Sequence, residues 1–293
     1  MPDLKLKIFF QSAVVFIAAA VLSLATAASM ITGKVVYTDE PVKSVYVPSP
    51  TSLSEPPFEP AQLEIFQFLV SFFIATALML FFLKVFKGKF LFQMFFGGAV
   101  IFGAQGPLGL IVSPWQAFLI SFLIVGLRFA LPRIWTQNLA IILAAAGIAA
   151  SLGMGVEPNL VILILIFLSI YDVIAVYKTR HMVKLFKGIA ERGVYLALII
   201  PDKISRWGNK FIGAGRNKNY VFIGTGDLAL PLFFSVSAFP SGIIHSIAIV
   251  AGAILGLLAD HLFFVAQKKR KPIPALPFIA FFSIIGYLAS LII

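Results

Sequence analysis

The sequence predicts an all-α polytopic membrane protein of nine transmembrane helices, with its N-terminus cytoplasmic and its C-terminus outside. Three observations lead there. The 293 residues are 60% hydrophobic and only 12% charged, with a mean hydropathy of +1.01, whereas a soluble globular chain carries roughly 25% charge. Nine apolar stretches approach the ~20 residues that a helix needs to cross a bilayer. The basic residues fall almost entirely in alternate loops, the pattern that orients helices in membranes.

In order, the stretches are 8–31, 65–85, 90–112, 115–131, 139–153, 160–177, 221–239, 243–266 and 276–293. The first follows Lys5 and Lys7 and precedes Ala25-Thr26-Ala27, so a cleavable signal peptide over residues 1–27 is its competing reading. Its apolar run exceeds the ~7–15 residues of a signal-peptide core, which favours a retained helix. Gly97, Gly98, Gly103, Gly106 and Pro107 soften the third stretch, and the fifth is short. No internal repeat stands out, so the chain reads as one domain, 1–293, with an outer loop at 32–60 and a cytoplasmic loop at 178–219.

With the N-terminus inside, 21 of the 23 Lys and Arg residues lie on the cytoplasmic side, including Arg128 and Arg133 and ten between 178 and 218; Lys34 and Lys43 fall outside. Orientation and anionic headgroups therefore account for the net charge of +11, and nucleic-acid binding has no separate support. The outer loop is rich in Pro, Ser and acid. The inner loop is basic but carries an apolar run, 194–200, ending at Pro201, which suits docking at the interface or near a site. Cysteine is absent, which removes disulfides and thiol chemistry. There is no His-Glu-x-x-His, so a zinc hydrolase is unsupported, and no metal or cofactor is implied.

Three of the twelve acids sit within predicted spans: Asp172, Asp227 and Asp260. An ionisable group in hydrocarbon costs several kcal/mol on insertion scales and marks a functional site by default. At about 1.5 Å per helical residue, Asp172 lies roughly 9 Å from Lys178 and Asp227 roughly 13 Å from Lys218, so both occupy one level in the cytoplasmic half. Two carboxyl groups facing each other in a low dielectric share a proton, and such a pair activates water. Tyr171 precedes the first acid. Gly224-Thr225-Gly226 precedes the second, and its two glycines permit close backbone approach.

Pro274-Ala275-Leu276-Pro277 opens the last span as an extended segment at the membrane edge. Asp260, beside His261 and at a matching depth, reads first as a structural partner of a basic residue and second as a proton supplier. His245 follows Ser241 by one turn, but the setting is not that of a nucleophilic serine. Gly252 and Gly256 have the spacing of a helix-packing face.

Taken together, Tyr171-Asp172 on the sixth span, Gly224-Thr225-Gly226-Asp227 on the seventh and Pro274-Ala275-Leu276 at the start of the ninth resemble the presenilin and signal peptide peptidase family of intramembrane aspartyl proteases. The resemblance implies that Asp172 and Asp227 are the catalytic dyad. It implies that Tyr171, Gly224, Thr225, Gly226, Pro274, Ala275 and Leu276 shape the site or bind substrate. The N-in, C-out orientation and Leu276-Pro277 are closer to presenilin, and Thr225 departs from the commoner leucine. The compact loops suggest a microbial cell membrane. The expected partners are transmembrane protein or peptide substrates and the bilayer, with room for a homo-oligomer. A carboxylate-based proton or ion transporter, or an inactive family-like scaffold, is the alternative.

Overall fold

The computed structural model describes residues 2–33, 70, 74, 78, 81, 89–179, 188–191, 193–211, 219–267 and 273–292. The chain forms two compact units, one of Met1–Val35 with Gly88–Ile293 and one of Val36–Lys87. In the smaller unit Val70, Ile74, Leu78 and Phe81 are helical and exposed, with the spacing of one helix face, inside the second predicted span. The rest of that span and the outer loop lie outside the described residues.

Among the described residues the larger unit contains eight longer helices: α1 (Pro2–Ile31), α2 (Lys89–Gly109), α3 (Pro114–Ala130), α4 (Ile134–Gly153), α5 (Pro158–Val173), α6 (Thr225–Ser237), α7 (Ile243–Ala266) and α8 (Leu276–Ser290). Among the described residues five helical segments are long and apolar enough to cross a membrane: Leu6–Ile31, Lys89–Gly109, Ile134–Gly153, Pro158–Lys178 and Ile243–Ala266. Apolar α3 and α8 are shorter, at 17 and 15 residues, and α6 has 13.

Helix starts follow local chemistry. Pro114 and Pro158 open α3 and α5, where the first turn needs no donor from proline. Gln116 accepts from the Ser113 N–H at 3.1 Å. The fifth predicted span begins earlier than expected because Ile134 and Trp135 donate their backbone N–H groups to the carbonyls of Asn209 and Trp207. The inner loop thus supplies acceptors to the orphan donors of α4.

Alanine-rich α4 is the hub, packed by α1, α2 and α6. The glycines of α2 act differently from the softening expected, since α2 is helical throughout. A Cβ on Gly103 would meet the Ala144 carbonyl at 2.5 Å, and one on Gly147 would fall 1.7 Å from the Gly103 carbonyl. Helix backbones touch there, as small residues allow in membranes. The α7–α8 seam works the same way, with a Cβ on Gly252 reaching the Phe282 carbonyl at 2.1 Å and one on Gly286 the Ala248 carbonyl at 2.2 Å.

The all-α expectation needs one correction. Ala197–Pro201 forms β1 and Tyr220–Gly224 forms β2, an antiparallel pair in the register Ala197↔Gly224, Ile199↔Phe222, Pro201↔Tyr220. The latter part of the inner loop's apolar run, 197–200, lies in this buried strand, and the start of the seventh predicted span is its partner. β-Branched and aromatic residues in both suit a pleated surface. The helical rise used for the depth of Asp227 fails over 220–224, because a strand advances about 3.3 Å per residue.

Candidate active site

Asp172 occupies the last turn of α5, which passes into a π-helical turn, Ile174–Lys178. π-Turns interrupt the regular ladder and recur at functional sites. Its carboxylate accepts the backbone N–H of Leu276, the first residue of α8. Tyr171 is half-buried beside it and within electrostatic reach.

Asp227 stands in the first turn of α6. Its carboxylate accepts the backbone N–H of Gly224, the residue that caps that helix, which is the reach-back half of a capping box. Both carboxylates therefore take a donor from a helix N-terminus, Asp172 from that of α8 and Asp227 from that of its own α6, where oriented backbone dipoles favour negative charge. They interact electrostatically with each other, and Asp260 of α7 interacts with both.

The other expected site residues divide by what they touch. A Cβ on Gly224 would lie 2.9 Å from Asp227 Oδ2, so this glycine makes room for the carboxylate. Gly226 is exposed and a Cβ on it would meet nothing within 4 Å. Thr225 donates its N–H and its hydroxyl to the Leu196 carbonyl, at 3.2 and 3.4 Å, tying α6 to the residue just before β1.

Pro274 and Leu276 are buried. Pro274 is non-helical, but Ala275 has helical dihedrals and Pro277 lies in the first turn of α8, so the extended segment expected here is shorter than 274–277.

Asp260 Oδ1 is buried without a hydrogen-bond partner among the described residues, which leaves the expected basic partner unsupported there. His261 packs against the Phe9 ring at 6.0 Å. His245 pairs through Nδ1 with Ser290 Oγ at 2.8 Å. Among the described residues no group of three His, Cys, Asp or Glu is arranged to hold a metal ion.

Sequence reasoning missed a set of polar groups behind β1. Arg128, read as an orienting charge near headgroups, is only 2% exposed. Its Nε donates to Gln137 Oε1 at 2.9 Å and its NH2 to the Gly193 carbonyl at 3.0 Å. The rings of Phe96, Phe129 and Phe211 surround it at 4.6–4.9 Å. Gln137 donates to the Tyr195 carbonyl. Asn138 both accepts from the Ile199 N–H and donates to its carbonyl, each at 2.9 Å. Gln11 of α1 donates to the Pro201 carbonyl at 3.1 Å. Adjacent Gln137 and Asn138 within an apolar stretch were the available signal.

The family model described as signal-peptide peptidase, presenilin aspartyl protease matches residues 13–293. The chain belongs to that family. The solved structure of a presenilin family intramembrane aspartate protease in a P2 crystal form is similar over 96% of both chains, with a TM-score of 0.62 and 18% identity. In a C222 form the figures are 94% of both chains, 0.59 and 18%. At that identity the likeness speaks to the fold alone: a presenilin-family arrangement of membrane helices. No curated protein matches by sequence. Membership makes the chain a multi-pass integral membrane protein of a family that acts on membrane-protein substrates within the bilayer.

Proposed function

We propose that the chain is an active intramembrane aspartyl endopeptidase that cleaves transmembrane segments of other proteins, with Asp172 and Asp227 as its dyad. The observation that carries this reading is the pair of carboxylates on separate helices, electrostatically coupled, each taking one main-chain donor at a helix N-terminus. One carboxylate, ionised, takes a proton from water as the water oxygen attacks the scissile carbonyl carbon. The protonated partner gives its proton to the carbonyl oxygen, forming a gem-diol. Collapse then breaks the C–N bond: the proton taken from water passes to the leaving nitrogen, and a diol proton returns to the other carboxylate. The pair titrates as a unit, so neither residue is base or acid by itself.

A helical substrate hides its backbone, so it must unwind before attack. An extended segment binds by strand addition. The run 194–200 is not the edge that receives it, because β2 lines one side and side chains of α1, α3 and α4 fill the other. The sheet has two strands among the described residues, so the substrate strand joins the side of β2 facing away from β1 and leads directly to Asp227. The chain lies N-in, C-out in a microbial cell membrane.

The test is a purified protein with a transmembrane peptide, comparing native chain with Asp172→Ala and Asp227→Ala. Cleavage by the native chain alone is expected; cleavage surviving either substitution sinks the dyad. Ion flux in proteoliposomes without cleavage would favour the transporter reading.

A further inference from the structure

Over 193–201, the run that ends in β1, four odd-numbered residues present their carbonyls to side chains of the helices. Arg128 takes Gly193, Gln137 takes Tyr195, Asn138 takes Ile199 and Gln11 takes Pro201. Only Asn138 satisfies both groups of its residue, because its amide also accepts the Ile199 N–H. In an antiparallel pair, a residue whose N–H and carbonyl both point outward sits at a non-hydrogen-bonded position. Pro201, which has no N–H to give, occupies an equivalent position two residues on. The Asn138 amide therefore takes the place of a neighbouring strand on that edge. It is 1% exposed, and its neighbours Gln137 and Arg128 are 0% and 2% exposed.

We infer that Asn138 is a positioning residue that fixes the register of cleavage, by pinning β1 to the membrane helix α4. The inference rests on the protease reading above. The mechanical chain is short. Asn138 holds Ile199, the β1–β2 ladder holds Gly224 opposite Ala197, and Gly224 caps the helix that carries Asp227. Asp172 hangs from α5 and takes its donor from α8, outside the sheet. The sheet thus aligns substrate with one carboxylate, while its anchorage to α4 aligns that sheet with the other. A strand free to slide along its partner presents different residues at a given point. Losing the anchor therefore changes which peptide bond meets the dyad, as well as how fast it is cut.

The experiment uses the full-length protein in detergent with a transmembrane peptide, and reads product masses beside kcat and KM. Asn138→Leu removes both hydrogen bonds while keeping the branching of the side chain. The expected result is a spread of cleavage over neighbouring bonds and a fall in kcat/KM on the order of tenfold to a hundredfold. Ser235→Ala is the control, since it removes a buried hydrogen bond to the Ser246 carbonyl at the α6–α7 contact. It keeps the native product masses. Gln11→Leu loosens the same β1 edge at Pro201 and gives a smaller spread; it carries the test if Asn138→Leu does not accumulate as folded protein.

Native product masses from folded Asn138→Leu, or from Gln11→Leu in its place, overturn the inference. So does an equal spread from Ser235→Ala. Cleavage by the native chain that Asp227→Ala abolishes holds the protease reading separate from this outcome.

Discussion

At Gly224 a single hydrogen atom decides what the site can hold. Any Cβ there comes within 2.9 Å of Asp227 Oδ2, closer than carbon and oxygen tolerate, so Gly224→Ala is expected to lower kcat by on the order of a hundredfold while the melting temperature stays near native. Gly226 predicts the opposite contrast. Its Cβ meets open space in the first turn of α6, where alanine is the better helix former by up to ~1 kcal/mol, so Gly226→Ala melts no lower than native. Circular dichroism melts beside peptide cleavage check both. The shared proton sets the pH dependence: one proton on the pair is required, so activity falls both where the pair is doubly protonated and where it is doubly ionised. A bell-shaped kcat/KM profile is expected, and a plateau on either side contradicts it. Asp260 adds a third carboxylate to this titration, with Oδ1 buried and unpartnered among the described residues. Asp260→Asn should retain cleavage, where loss of Asp172 or Asp227 costs on the order of 10⁴-fold.

Helix seams and one small sheet carry those residues to each other. The glycine seam of α7 and α8 matters because α8 brings the Leu276 N–H to Asp172. Gly252→Leu forces the backbones apart, and overpacking of this kind costs ~1–3 kcal/mol; both a lower melting temperature and weaker cleavage are expected. Ordinary stability with full activity would refute the seam's role. Apolar runs, Gly-x-Gly-Asp and the last proline segment were legible in the sequence because each is a local pattern. The strands were not. Val221–Phe222–Ile223 reads equally well as the start of a buried helix, and only the partner run Leu198–Ile199–Ile200 across the chain makes it a strand. The brace of Arg128, Gln137 and Asn138 was hidden for the same reason: its acceptors lie about 60 residues away.

For the molecule as a whole, the predicted orientation can be tested cleanly, because the chain has no cysteine and any introduced thiol is a unique reporter. Lys203→Cys should be labelled by an impermeant maleimide only from the cytoplasmic face, and Lys43→Cys only from outside. Labelling from the opposite faces would invert the topology.

The lengths of α6 and α8 set a further demand on the surrounding lipid. At 13 and 15 residues they span about 20 and 22 Å, against a hydrocarbon core near 30 Å. The bilayer must pinch inward around the helix that carries Asp227 and the helix whose Leu276 N–H holds Asp172, or leave their ends wet. Acyl chain length then becomes a control on turnover: vesicles of short-chain lipid match the protein and let water reach the dyad. Long-chain lipid strains the same helices and slows cleavage without touching a side chain.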